Sequence, residues 1–216
     1  MLAEFFEVLS RIRARKQAQQ WREAEGSVNE ELQRLTGHSP EALLKLSDAE
    51  LLASLIRGES TLAVREKAGM VTALLKEAGD IAVAENRSRE SIAFYTKGLH
   101  LLLDAAATGE PGEFYEFVPR VEVFVAGLAD SPLQDATRAR LMQYYERTGQ
   151  YARAEDQLYE LLDSRADSAA ALDFGLAFYE RLQSLTDAQL EEGNLPRSEL
   201  VAGKQELTRR RTQVAG

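Results

Sequence analysis

Histidine is the side chain best suited to acid–base catalysis and metal binding, and this sequence contains two of them. His38 stands between a glycine and Ser39-Pro40, a context typical of a loop, and His100 lies one residue off an apolar helical stripe. Neither has a glutamate or a second histidine at the spacing of a metal-binding motif such as H-E-x-x-H. We therefore expect neither histidine to be a metal ligand or a catalytic base.

Adjacent carboxylates occur at Glu155-Asp156 and Glu191-Glu192. Neighbours on a helix point about 100° apart, so such a pair does not converge on one substrate atom. The sequence has no phosphate-binding glycine loop, no dinucleotide-binding G-x-G-x-x-G and no G-x-S-x-G nucleophile motif. It also contains no cysteine, so thiolate catalysis and cysteine-bound zinc are excluded. We predict that the protein is not an enzyme and holds neither a metal nor a cofactor.

Length and charge limit the class of partner. The chain has 216 residues, of which 44% are hydrophobic and 28% charged, which is ordinary for a globular protein with a real core. Its net charge of −9 opposes attraction to phosphate backbones, so we expect no nucleic-acid partner. No apolar run approaches the ~20 residues of a membrane span, and no secretory leader is evident. A cytoplasmic location is expected.

Apolar residues recur every three or four positions along most of the chain, which predicts an all-α fold. The short link at Glu85–Ser88 forces the two long helices around it to pack as antiparallel neighbours. The apolar stripes of the first helix and of this pair are Leu2, Phe5, Leu9 and Ile12; Val64, Ala68, Val71, Leu75, Ala78 and Ala82; and Ile92, Tyr95, Leu99, Leu102 and Ala106.

Local signals predict where several helices begin and end. Ser27-x-x-Glu30 and Ser47-x-x-Glu50 have the spacing of capping boxes, and Ser39-Pro40 and Ser131-Pro132 mark further helix starts. A second Leu-cap-acid start, at Leu185-Thr186-Asp187, nearly repeats the segment around Ser47. Glycines at positions 37 and 58 are expected to cap helix ends. A helix is predicted from about Asp167 to Leu185, and a short one over Asn194–Leu207, followed by Arg209–Arg211 in a frayed tail.

The segment 113–129 is ambiguous. Phe114, Phe117, Val121, Phe124 and Leu128 keep helical spacing, whereas residues 120–125 also alternate as a strand would. A lone strand would have no partner in this chain, so a helix is predicted. Because proline lacks the backbone N–H, that helix is expected to be kinked at Pro119 or to start near it.

The stretch Leu141–Leu162 carries the clearest pattern. Leu141 and Tyr145 share one helix face, Thr148-Gly149 breaks the helix, and Tyr151, Ala154, Leu158 and Leu161 line a second face. The small Ala154 stands where two helices of a hairpin approach most closely. This arrangement resembles a tetratricopeptide (TPR) repeat, which is an antiparallel helix pair.

A weaker copy of the pattern covers residues 73–103. Matching Asn86 with Gly149 places Ser91 on Ala154 and Gly79 on Met142. The carboxyl half, with the Leu46–Leu52 segment, also resembles a family of bacterial proteins of TPR-like helical build to which no activity is assigned. These resemblances imply a fold and no function.

Together these patterns predict a right-handed stack of antiparallel helical hairpins, a TPR-like α-solenoid with helical extensions at both ends. The expected segments are an N-terminal extension at 1–60, a TPR-like core at 61–183, and a short helix with a tail at 184–216, all within one compact domain.

The predicted function is a non-catalytic protein-interaction module or scaffold. In a hairpin stack the first helix of each pair lines the concave surface, and tyrosines off the apolar stripes are further contact candidates. The candidate contacts are Lys76, Asp80, Tyr115, Gln143, Tyr144, Glu146 and Arg147. A protein or peptide partner that is neutral or basic suits the acidic chain, and self-association through the first helix is possible.

The alternative is a peripheral membrane adaptor. Leu2, Phe5, Phe6 and Leu9 form an apolar nose ahead of the basic RIRARK run, a pattern found in helices that lie on anionic membranes. Because the stripe is short and the protein is acidic overall, we expect this helix to dock on its own core or on a twin subunit, and we expect no membrane partner. An enzyme remains a third hypothesis.

Overall fold

A computed structural model describes residues 1–56, 60–108, 115–164 and 168–215. Throughout these ranges the regular structure is helical and no strand occurs, which confirms the all-α prediction. Among the same residues, no helix is both long enough and apolar enough to cross a membrane. The helices are α1 (Leu2–Gln17), α2 (Trp21–Thr36), α3 (Pro40–Lys45), α4 (Asp48–Ile56), α5 (Thr61–Ala84), α6 (Ser88–Thr108), α7 (Val121–Gly127), α8 (Asp135–Arg147), α9 (Tyr151–Ser164), α10 (Ala169–Leu182), α11 (Asp187–Glu192) and α12 (Arg197–Ala215).

The chain forms two compact units, Met1–Pro132 and Leu133–Gly216. Their boundary falls inside the segment 61–183 that the sequence predicts as one core. In the first unit α5 is the central element, and it packs against α1, α2, α4 and α6. Nearly every residue of α5 from Ala68 to Ala82 is buried, because neighbours cover this helix on several sides.

Three hairpins share one turn geometry. The helix pairs α1–α2, α5–α6 and α8–α9 are each joined by three residues, and the middle one has a positive φ: 58° at Gln19, 60° at Asn86 and 73° at Gly149. In each turn the next residue donates its backbone N–H to the carbonyl five positions earlier, as in a Schellman cap. The helix break at Gly149 is confirmed, and Asn86 occupies the same position in its own turn.

Helix caps agree in part with the predicted signals. The backbone N–H of Ser47 donates to Glu50 and that of Glu50 to Ser47, so this capping box is present. Ser39 caps α3, Thr186 forms a capping box at α11, and Gly37 has φ 76° at the end of α2. Gly58 lies outside the described residues.

Two predicted starts are wrong. Ser27 lies inside α2, which begins six residues earlier, at Trp21, and Ser27 is buried and hydrogen-bonded by Arg15. Ser131-Pro132 does not cap α8, because its N-cap is Gln134. The short cap pattern matches in both places, but at Ser27 the side chain is bound by Arg15 of α1 and caps no helix.

The segment after Pro119 is helical, as predicted. Helix α7 begins at Val121, two residues past the proline, so the helix starts near Pro119 rather than running through it. Phe114 lies outside the described residues. Phe117 and Val118 precede the helix, are buried, and pack against Gly69 of α5.

In the second unit, α9 and α12 both pack against α10. Ala154, at the expected close approach, is fully buried. The start of α10 is Ala169, and Asp167 lies outside the described residues. Helix α12 reaches Ala215, so the predicted frayed tail is wrong. Arg209 and Arg210 bind Glu206 on the same helix, and Arg211 binds Asp173 of α10, which accounts for the longer helix.

Candidate functional site

The N-terminal helix is docked on the core of its own unit. Phe5, Leu9 and Ile12 are buried, and α1 packs against α2 and α5. Phe6, at the edge of this stripe, stays 48% exposed. The apolar nose that the membrane alternative requires is therefore largely committed to the core, and Phe6 is its main exposed member.

An open groove runs beside α1, and we call it the α1 groove. Its volume is about 700 Å³, which lies within the range of ligand-binding clefts. One wall is α1, and the other is the short segment 115–117 that leads toward α7. The lining residues are Phe6, Leu9, Ser10, Arg13, Ala14, Gln17, Tyr115, Glu116 and Phe117.

Aromatic contacts hold the apolar end of the α1 groove in shape. The ring of Phe117 meets Phe6 edge-on at 5.3 Å between centroids and stacks on Tyr115 at 5.5 Å. Phe117 also touches the buried Phe5 at 5.3 Å. The Tyr115 hydroxyl donates to Glu66 of α5 at 3.1 Å. Because these rings are braced from several directions, this end of the groove is preformed.

Polar side chains line the α1 wall of the groove. Ser10, Arg13 and Gln17 are three and four residues apart, so they lie on one face of the helix. The Arg13 Nε donates to Glu77 Oε1 at 3.1 Å, and its side chain is 51% exposed. Within the described ranges no other partner is found for the guanidinium of Arg13, or for the side chains of Ser10 and Gln17. The groove therefore offers hydrogen-bond donors that have no partner among the described residues of the unit.

Behind Arg13 lies a set of charges that we call the α1–α5 ion cluster, formed by Arg13, Lys16, Lys76, Glu77 and Asp80. Glu77 is buried, with a side chain 1% exposed, and is bound by Arg13 and Lys16. Lys16 also contacts Asp80, which Lys76 binds at 2.7 Å. The cluster joins α1 to α5 and keeps Arg13 at the groove.

The pKa of Asp80 reflects this pairing. Burial pushes its pKa up, but the hydrogen bonds and charges of Lys16 and Lys76 outweigh burial and bring the pKa below its ordinary value of 3.8. Tyr95 also donates its hydroxyl to Asp80, at 2.9 Å. Because its pKa is lowered by folding, ionised Asp80 stabilises the fold at pH values above its ordinary pKa of 3.8. This stabilisation is lost as the pH falls through the folded-state pKa.

The structure distributes the sequence-predicted contact residues over both units. Lys76 and Asp80 belong to the ion cluster, and Tyr115 lines the α1 groove. The other four lie on α8 of the second unit: Gln143 and Arg147 are exposed, Tyr144 is half-buried against Tyr145, and Glu146 binds Arg181 through both carboxylate oxygens at 2.6 and 2.8 Å. Their role in partner contact stays a prediction.

Comparison with protein-family models gives one assignment. The model of a family of unknown function, DUF6483, matches residues 3–212, nearly the whole chain. The chain belongs to DUF6483. No curated protein and no solved structure matches it. Because the family is one of unknown function, its assignment identifies no activity for this DUF6483 chain.

Sequence reasoning missed Arg13, Ser10, Gln17 and Glu77 in this DUF6483 protein. The sequence contains one signal for Glu77: it lies three residues after Leu74 and four before Ile81, so it shares a helix face with two apolar residues. Both of these residues are buried in the structure. A carboxylate on an apolar face needs a partner. The sequence could not name that partner, because Lys16 is 61 residues away.

Both histidines of this DUF6483 chain have hydrogen-bond partners close to a helix end. His100 on α6 places its Nδ1 3.0 Å from a carboxylate oxygen of Asp48 at the start of α4. His38 follows the C-cap of α2 and donates its backbone N–H to Thr36. In the part of the chain that the structure describes, no three histidine, aspartate or glutamate side chains are grouped to hold a metal ion.

A second buried polar pair lies in the Leu133–Gly216 unit. The hydroxyl of Tyr179, which is fully buried, donates to Glu155 of α9. Burial raises the pKa of the Glu155 carboxyl above its ordinary value of 4.5; the hydrogen bond from Tyr179 lowers it by less, and Glu199 and Asp156 add repulsion. The charged form of Glu155 is therefore disfavoured by folding.

Replacing Glu155 with glutamine is expected to stabilise this unit at neutral pH. Because folding raises the pKa of Glu155, its contribution to stability is fully present below pH 4.5, where the carboxyl is protonated. That contribution is lost as the pH rises through the folded-state pKa. Glutamine still accepts from Tyr179 but carries no charge. Hydrogen exchange of α9 and α10 should slow in Glu155→Gln at pH 7 and match wild type near pH 4. If Glu155→Gln slows exchange at pH 4 but not at pH 7, the pKa of Glu155 is not raised by folding.

Proposed function

We propose that this protein is a non-catalytic interaction module and that the α1 groove receives a segment of its partner. One observation carries the proposal: a preformed aromatic groove is open to solvent, and its polar wall carries donors without a partner in the part of the unit that the structure describes. Exposed aromatic and arginine side chains around a cleft are typical of interaction hot spots.

The proposed occupant is an amphipathic helical segment of another protein. The apolar end of the groove, around Phe6, Leu9 and Phe117, accepts a large apolar side chain, as in helix-in-groove recognition. The net charge of −9 favours a partner that is neutral or basic overall. Tyr115 is the sequence-predicted contact that this surface contains.

The finer fold proposal is a TPR-like arrangement within the hairpins. It is supported by the shared left-handed turns at Asn86 and Gly149 and by the small residues at close contacts. A Cβ at Gly79 would lie 2.6 Å from the Tyr95 ring, and Ala154 is fully buried. These are the positions where the TPR pattern places small side chains.

The test uses Phe6→Glu, with Val83→Glu as the matched control. Both residues are about half exposed apolar side chains of the Met1–Pro132 unit, and only Phe6 lines the groove. Proteins retained by the immobilised full chain from native lysate should be identified by mass spectrometry. We expect a specific protein whose recovery falls about tenfold with Phe6→Glu and is unchanged with Val83→Glu.

Thermal melting should show that both variants remain folded. Equal loss of the retained protein with both substitutions, or no loss with either, would contradict the role of the groove. Isolated segments of the retained protein should then bind the purified chain directly.

A further inference from the structure

We infer that the α1 groove selects a partner helix that carries an aspartate or glutamate one to two turns from a large apolar side chain. This inference rests on the proposed function and adds the chemistry of the partner. It follows from three features: the hydrogen bond that anchors Arg13 while leaving it half exposed, the local charge of α1, and the distance between the two ends of the groove.

Arg13 is prepared to bind a carboxylate. Its Nε donates to the buried Glu77, so the guanidinium is anchored on one edge while its side chain stays half exposed in the groove. Arginine is planar and carries five donors, of which this bond uses one. An arginine held in this way loses less rotamer freedom on binding, and a paired carboxylate would take two of the remaining donors.

The donors beside Arg13 strengthen this assignment. Ser10 stands one turn before it and Gln17 one turn after it, and both line the groove. The hydroxyl and the amide can each donate to the same carboxylate or to the polar groups next to it. The α1 wall therefore presents a row of donors along the helix.

Local charge near the groove differs from that of the whole chain. Helix α1 carries Glu4 and Glu7 near its start and four cations at Arg11, Arg13, Arg15 and Lys16. Three of these cations have partners within the unit, since Arg15 binds Ser27 and both Lys16 and Arg13 bind Glu77. Arg11 and Arg13 are exposed. A partner that is neutral overall can therefore place one acidic residue here.

Geometry sets the spacing of the partner residues. Leu9 is one turn and Phe6 nearly two turns from Arg13, which is about 6 to 10 Å along the axis at 1.5 Å per residue. A partner helix lying along α1 spans this distance with residues four to seven positions apart. The apolar side chain then lies by Phe6 and Phe117 while the carboxylate meets Arg13.

Glu116 limits how acidic the partner can be. It lies on the opposite wall of the same groove, so a second carboxylate would be repelled there. The groove is thus expected to reject a polyacidic segment and to accept a single acid near an apolar anchor.

The experiment is a selection of peptides on the full chain. A phage library of random 16-residue peptides is selected on wild type and counter-selected on Phe6→Glu. Enriched peptides should carry an acid four to seven positions from a large apolar residue more often than unselected phage. The best sequence is then synthesised with its acid and with the matching amide, and binding is measured by calorimetry.

We expect the amide peptide to bind wild type about tenfold more weakly than the acid peptide. Arg13→Gln should weaken the acid peptide by a similar factor and leave the amide peptide unchanged. The comparison between two peptides on wild type needs no variant, so any instability of Arg13→Gln does not obscure it.

Each failure is distinguishable. Enriched peptides without acids, or acid and amide peptides of equal affinity, would overturn this inference and leave the proposed function intact. A selection that yields no peptide dependent on Phe6 would overturn the proposed function. Sedimentation showing a dimer that Phe6→Glu dissociates would replace the partner helix with a second copy of this chain.

Discussion

Replacing Lys16 with methionine is expected to lower the free energy of unfolding of the Met1–Pro132 unit by about 3 kcal/mol, the lower end of the range for breaking a buried ion pair. Lys16 contacts both Glu77 and Asp80, and the Glu77 side chain is only 1% exposed. Without Lys16 the buried carboxylate keeps Arg13, and Lys76 at 3.7 Å, so it is not left wholly uncompensated.

Urea unfolding followed by tryptophan fluorescence suits this measurement. Trp21 is the single tryptophan of the chain and lies on α2, so its emission reports on the first unit. Arg11→Met is the matched control, because Arg11 is an exposed cation on the same helix. It should change the free energy by less than about 0.5 kcal/mol.

The double variant Lys16→Met/Glu77→Leu distinguishes two causes of destabilisation. One is the loss of the ion pair itself, and the other is the cost of leaving the buried Glu77 carboxylate without Lys16. Replacing both buried partners by apolar groups is often neutral or stabilising, so the double variant should be more stable than Lys16→Met alone. If it is less stable, the ion cluster contributes favourable energy beyond compensating the burial of Glu77, and the stranded-charge account is wrong.

How much of this fold can be predicted from sequence depends on how local the cause is. The capping box at Ser47 and Glu50 and the left-handed break at Gly149 depend on residues within a few positions, and both are confirmed. Ser27 and Glu30 have the same local pattern, yet α2 runs through them. What differs is Arg15, which binds Ser27 from the preceding helix.

The candidate site was harder to predict because its parts are far apart in sequence. Tyr115, which the sequence predicts to lie off its apolar stripe, lines the α1 groove. The groove needs α1 as well, and the link between them is the contact of Phe117 with Phe5 and Phe6. Lys76 and Asp80 are predicted to line a contact surface, but Lys76 binds Asp80 on its own helix, and Lys16 of α1 also binds Asp80. Periodicity along one helix does not name its neighbour.

Opposite effects are expected when two glycines of the first unit are each replaced with alanine. Gly79 of α5 faces the ring of Tyr95: a Cβ there would lie 2.6 Å from Cε1 and 2.7 Å from Cδ1. The ring has little room to move, since a Cβ at Gly127 would lie 2.8 Å from its other edge and its hydroxyl is bonded to Asp80. Overpacking of this kind costs about 1–3 kcal/mol.

Gly26 of α2 is the matched control, because a Cβ there would have nothing within 4 Å. Alanine is better than glycine inside a helix by about 1 kcal/mol, so Gly26→Ala should raise the free energy of unfolding by about that amount. At Gly79 the same gain is outweighed by the clash, and Gly79→Ala should lower it by about 1–2 kcal/mol. Trp21 fluorescence in urea measures both variants. Stabilisation by both would mean that the Tyr95 ring is not confined between Gly79 and Gly127, and that the α5–α6 hairpin has room at its closest contact.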